Sequence, residues 1–192
     1  MSLCKIRSKS VGNDDKTMVD PYGEGFILAI LGAVTYEFEV TSPISPARLF
    51  KALVFEADKL FPKAAPHAIK SVELEGDGGP GPSSRSTLLK VTYLPFEYVK
   101  HKVEGQDQDN LSYSYRVIEG GSLGEKLEKI SFENKLVAAA AGEGTLVKSL
   151  MKFFTVADST FTEDEIKEQI KRMDGVYKAV ESYLLANPHV CN

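Results

Sequence analysis

Tryptophan is missing from this chain of 192 residues, and cysteine occurs only twice, as Cys4 and Cys191, one near each end. Two isolated thiols make neither a disulfide framework nor a metal cage, and they fit a reducing compartment. Histidine is almost as scarce. His67, His101 and His189 lie far apart, with no His-x-x-x-His spacing, so neither a metal nor a cofactor is expected; lone histidines are mostly structural or surface residues. A basic excess is also lacking: 23 Lys and Arg face 27 Asp and Glu, a net charge of −4. Strong nucleic-acid binding, which needs a basic face to displace counterions, is therefore not expected.

Long apolar runs are absent as well. The longest near the N-terminus, "FILAILGAV" at 26–34, is too short to span a membrane. Lys5, Arg7 and Lys9 precede it as in a secretory signal within residues 1–33, but Asp14, Asp15, Asp20 and Glu24 intervene, which such a signal does not tolerate. The expectation is a cytoplasmic protein.

What is present suits one domain: 43% of residues are hydrophobic and 26% charged. Residues 1–30 carry no sustained period and read as a poorly ordered N-terminal extension. In "VTYEFEV", Val34, Tyr36, Phe38 and Val40 alternate with Thr35, Glu37 and Glu39, the pattern of a half-buried strand. "ARLFKALVFEADKLF" has helical spacing, and Pro62 and Pro66 limit it to two short helices. "AIKSVELE" is a strand again. "STLLKVTYL", "FEYVKHKVEG", "NLSYSYRVIEG", "EKLEKISFENKLVAA" and "TLVKSLMKFFTV" follow, joined by turn-forming stretches, and predict an antiparallel meander. Leu111, Tyr113, Tyr115 and Val117 share one face of their strand. Finally Ile166, Ile170, Met173, Tyr177, Val180 and Leu184 form one stripe of a long helix. Thr162 and Glu165 supply a capping box, and Asn187-Pro188 a stop.

The glycine cluster "GDGGPG" at 76–81 follows a strand, as phosphate-binding loops do. Gly76 and Gly81 have Walker A separation, but Pro82 stands in place of the lysine and a strand follows where a helix is needed. No βαβ unit surrounds it. The residues predict a hairpin connection.

Together, "EGDGGPG", "ARLFKALVFEADKLFPKAAPHAIKSVE", "YSYRVIEGG", "LGEKLEKISFENKLVA" and "AVESYLLANP" resemble the plant pathogenesis-related class 10 family, typified by the major birch-pollen allergen (the Bet v I type). The resemblance runs from about Leu31 to Asn192 and makes 31–192 a ligand-binding domain. It implies an α+β fold of the START-like, helix-grip kind: a seven-stranded antiparallel sheet curled around a long C-terminal helix, two short helices, and an internal hydrophobic cavity. It also implies a monomeric, defence-related carrier of small hydrophobic or amphipathic metabolites such as flavonoids, cytokinins, steroids or fatty acids. The alternatives it carries are a norcoclaurine-synthase-like enzyme or isomerase, and a weak ribonuclease; an enzyme is the less expected of these roles.

Carried over by motif, the ligand-binding residues are Leu53, Val54, Phe61, Ile69, Phe96, Tyr98, Tyr113, Tyr115, Val117, Met173, Val176, Tyr177 and Val180, with Gly76, Gly78, Gly79 and Gly81 forming the glycine-rich loop. Core packing is the ordinary reading of each apolar member. The ribonuclease alternative falls on Glu128, Glu181 and Tyr183, with no histidine beside them to act as acid or base. For synthase chemistry the candidate is Lys100, which shares a strand face with Lys102 and joins the interior if Phe96 and Tyr98 face in. The turn "IEGGSLGEK" lacks the histidine-arginine-leucine latch of the related abscisic-acid receptors.

Overall fold

The structure, a computed structural model, describes residues 5–8, 33–76, 86–91, 97–124, 126–140, 144–156 and 162–192. In chain order the elements are β1 (Lys5–Ser8), β2 (Ala33–Ser42), α1 (Pro46–Phe50), a π-helical turn (Lys51–Phe55), α2 (Ala57–Ala64), β3 (Ile69–Glu75), β4 (Ser86–Val91), β5 (Tyr98–Asp107), β6 (Ser112–Gly120), β7 (Leu127–Ala138), β8 (Thr145–Thr155) and α3 (Glu163–Ala186). One antiparallel sheet takes them in the order β1-β2-β8-β7-β6-β5-β4-β3. Strands β2 to β8 are the seven expected. β1 adds a short eighth, pairing Lys5 to Ser8 with Glu39 to Tyr36. The other residues of the extension lie outside the described residues, as do Gly78, Gly79, Gly81 and Phe96.

The alternation of β2 survives intact: Tyr36, Phe38 and Val40 are buried, while Glu37 and Glu39 face outward. Across α3, Ile166, Ile170, Val180 and Leu184 are all buried, and Met173 and Tyr177 pack against the same core. Each such fully buried aliphatic side chain contributes about 1.5–3 kcal/mol of transfer free energy. Pro66 follows α2 as expected, but Pro62 lies inside that helix.

The long helix is held at both ends by polar contacts. At its start Thr162 and Glu165 make the predicted capping box, and Lys126 reaches the Glu165 carboxylate. Those contacts hold Glu165 well below the ordinary carboxylate range, at about 2. One turn further on, Gln169 donates to the Ser122 hydroxyl at 3.3 Å. At the other end, the Arg48 guanidinium of α1 donates to three carbonyl oxygens: Leu184 at 2.9 Å, Asn187 at 2.8 Å and Val190 at 2.9 Å. A helix C-terminus presents unpaired carbonyls and partial negative charge, and a planar cation with several N–H groups answers both.

Replacing Arg48 by Met keeps the aliphatic stem and removes the three donors. The expected loss is about 2–4 kcal/mol in urea unfolding. Arg48→Lys should recover less than half of it, because one ammonium cannot reach three separated carbonyls. A loss below about 0.5 kcal/mol for Arg48→Met would mean that the clamp is dispensable.

Candidate functional site: the interior between sheet and helix

Register lines up a row of inward residues across four strands. Phe38 on β2 faces Ser149 on β8, Ser149 faces Asn134 on β7, and Asn134 faces Tyr113 on β6. The next row runs Tyr36, Met151, Phe132, Tyr115 and Val103. Aromatic rings then build a stack along the concave face. His101 lies on Tyr115 with centroids 4.7 Å apart, and Tyr115 lies on Phe132 at 4.6 Å. Tyr113 sits parallel to Tyr115 at 6.1 Å and edge-on to Phe50 at 6.0 Å. From this face the Tyr113 hydroxyl crosses to α3 and meets the Tyr177 hydroxyl at 3.1 Å.

The polar groups here are uncharged. Burial drives the Tyr113 hydroxyl well above the ordinary phenol range, with neighbouring Tyr177 adding to the effect. Burial likewise raises Tyr115 and Tyr177, so all three stay phenols. Burial lowers His101 to about 4, which leaves a neutral imidazole near neutral pH. Among the described residues the buried polar ones are Ser42, Ser131, Asn134, Thr145 and Ser149, none of them charged. Ser149 donates to the Asn134 carbonyl oxygen at 2.7 Å, while the Asn134 amide nitrogen has no partner among the described residues. No cluster of three His, Cys, Asp or Glu side chains among the described residues could hold a metal ion.

Of the residues named from sequence, Leu53, Val117 and Val180 are buried in the main core, and Val54, Tyr113, Tyr115, Met173 and Tyr177 pack against it. Ile69 belongs to a second, smaller cluster with Ala65, Ala68 and Val72. Val176 packs against that cluster, and Phe61 against both. Tyr98 and Lys100 go elsewhere. Cross-strand pairing sets His101 opposite buried Val117 and Val103 opposite Tyr115, so the odd-numbered face of this part of β5 is the inner one. Tyr98 instead donates to Glu119 at 2.5 Å, and Lys100 pairs with Glu75 at 2.5 Å. The hydrogen bond from Lys100 to Glu75 favours the charged ammonium. The physical reason is desolvation: putting Lys100 and Lys102 inside would strip two ammonium groups of water, whereas His101 enters neutral. Glu128 is exposed at the start of β7, and Glu181 and Tyr183 lie on the last two turns of α3. Gly76, with φ of 136°, is the described member of the glycine loop.

Three interior residues, His101, Asn134 and Ser149, were not singled out by sequence. Two carried a readable signal: Asn134 alternates with Phe132 and Leu136, and Ser149 with Val147 and Met151, so each is polar on an otherwise apolar face. Two concavities lie along the strands, and the lining of the first also includes Phe38, Tyr113, Asn134 and Ser149 of the inward row. One, of about 780 Å³, is lined by strand residues including Glu37, Glu39, Lys135 and Lys148; the other, of about 580 Å³, includes Tyr98, Lys100, Glu75 and Glu119. Both are open and ion-paired, for example Lys148 with Glu39 at 3.8 Å.

The profile of the pathogenesis-related protein Bet v 1 family matches residues 31–187. The chain belongs to that family. Major allergen Pru ar 1 of Prunus armeniaca is 46% identical over 166 residues, covering 84% of this chain and all of that one. Major allergen Mal d 1 of Malus domestica is 45% identical with the same coverage. Among solved structures, Ara h 8.0201 is 35% identical with a TM-score of 0.69, over 81% of this chain and 100% of that chain. Norcoclaurine synthase of Thalictrum flavum, in complex with dopamine and hydroxybenzaldehyde, is similar in fold, with a TM-score of 0.61 at 17% identity over 81% of this chain and 88% of that one. Among the described residues no helix is long and apolar enough to cross a membrane.

In this Bet v 1 family protein, His101 sets an acid limit on stability. Unfolded histidine titrates near 6.5, and the folded group near 4. Between those values the unfolded chain binds the extra proton, so the fold loses stability as pH falls through that window. Because the residue is only partly buried, the loss is about 1–3 kcal/mol. Urea unfolding at about pH 7 and about pH 4.5 should show this loss for wild type, and a smaller one for His101→Phe, which keeps a stacked ring. Equal losses in the two proteins would exclude His101 as the cause.

Proposed function

We propose that the protein is a carrier of the pathogenesis-related class, holding amphipathic small molecules between the concave sheet and α3. The observation that carries this reading is the hydroxyl pair of Tyr113 and Tyr177, bridging sheet to helix across the interior. A helix on a sheet needs only hydrocarbon to pack. Two phenols meeting there, beside His101 and Asn134, offer hydrogen bonds without charge on a surface suited to flat rings. The similarity to the family over residues 31–187 supports the same reading.

An enzyme of the synthase type draws less support. Lys100 is paired with Glu75 on the outer face, away from the stack. The likeness to norcoclaurine synthase concerns fold alone. The ribonuclease alternative is weaker still, because among the described residues no histidine pairs with the exposed Glu128 to share acid–base work.

The test is native mass spectrometry of the purified protein with a panel of flavonoids, cytokinins, steroids, fatty acids and amine–aldehyde pairs, followed over time. A stable one-to-one adduct at unchanged ligand mass is expected, weakened about tenfold or more by the double variant Tyr113→Phe/Tyr177→Phe. A new product mass would make the protein an enzyme. No adduct with any compound would end the carrier reading.

A further inference from the structure

Among the five buried polar residues of the described chain, Asn134 is the one whose amide nitrogen has no partner among the described residues. The others named in hydrogen bonds are served locally. Ser42 accepts from the Ile44 backbone N–H at 3.2 Å, Thr145 donates to the Ile44 carbonyl at 2.5 Å, and Ser149 donates to Asn134. Asn134 is only 4% exposed, so no solvent shell compensates its two N–H groups. An unpaired buried donor is a standing cost that an aliphatic residue of similar size would remove. Neighbouring inward positions on the same strand are aliphatic or aromatic: Ile130, Phe132 and Leu136. The cost falls beside Tyr113, the cross-strand partner of Asn134 on the inner face. Among the described residues the Tyr113 hydroxyl in turn has only another hydroxyl, that of Tyr177, to bond.

We infer that Asn134 is a recognition residue, donating its amide N–H to the carbonyl oxygen of an uncharged, hydroxylated aromatic ligand. This rests on the carrier reading above and specifies what the carrier selects. The ligand enters between β6 and α3 and parts the Tyr113–Tyr177 pair. Each phenol then takes a ligand hydroxyl, and the ring system lies along the stack of Tyr115 and His101. The acceptor oxygen projects to Asn134, whose own oxygen stays with Ser149. A carboxylate ligand is disfavoured at that depth, since the buried polar residues among those described include no cation to meet it. Stability is sacrificed at one position for selectivity, a pattern expected where a polar group breaks the apolar rule of its strand.

The test compares three probes by calorimetry: naringenin, the flavan bearing the same hydroxyls but no ring carbonyl, and laurate. Each is titrated into wild type, Ser149→Ala, and the double variant Asn134→Leu/Ser149→Ala, which removes both members of the polar pair. Naringenin is expected to bind wild type about tenfold tighter than the flavan, with laurate weakest. Ser149→Ala keeps that preference. In the double variant naringenin falls to within about twofold of the flavan, and the ligand-free melting temperature stays level or rises. Equal binding of naringenin and flavan by wild type overturns the role of Asn134 while leaving the carrier reading standing, and needs no variant to fold. A preference that persists in the double variant overturns it as well, as does tightest binding of laurate. Binding of none of the three by wild type sinks the inference; whether the carrier reading falls with it is decided by the wider panel.

Discussion

Where the long helix lies decides everything on the concave side of the sheet, and its two ends are fixed by different chemistry. At the C-terminal end three backbone carbonyls, from Leu184, Asn187 and Val190, converge on one guanidinium held by α1. At the N-terminal end a capping box and Lys126 answer the opposite pole of the helix. These contacts are directional, unlike apolar packing, so they specify where along the sheet the helix stops. Between them the helix meets the sheet through Ile166, Ile170, Met173, Tyr177, Val180 and Leu184. Because both ends are anchored, the middle can carry polar groups that would otherwise weaken the docking.

Those groups share one property, which is neutrality. Burial turns each titratable group in the stack toward its uncharged form: phenols stay protonated and the imidazole stays bare. Lysines of β5 that could have brought charge inside are turned to the outer face, where Glu75 receives one of them. Among the described residues no charged side chain is buried there, so what that space offers is directed hydrogen bonds and flat rings.

Much of this was legible beforehand because single residues committed their segments. Phe38 between two glutamates has one low-energy orientation at a sheet surface, and the four-and-three spacing from Ile166 to Leu184 admits one helical face. The face of β5 was not legible, and the reason is specific. "YVKHKV" offers an aromatic and two lysines on one side and two valines and a histidine on the other, so both sides are amphipathic. Only pairing with β6, which sets His101 against Val117, resolves it. The π-helical turn at Lys51–Phe55 was equally hidden, since its apolar residues suit an α-helix as well. Asn134 was visible as an oddity, but the missing partner of its amide is a property of the folded neighbourhood and of no local pattern.

The short strand β1 also bears on how separate molecules would meet. Its register sets Lys5 opposite Glu39 and Arg7 opposite Glu37 along the margin of β2. If that margin were bare, two copies joining antiparallel about Phe38 would bring Glu37 of each against Glu39 of the other. Like charges directly opposite one another disfavour such a ladder. The pair of glutamates on this margin therefore discourages edge-to-edge stacking of identical molecules, a safeguard against aggregation written into a single sheet edge.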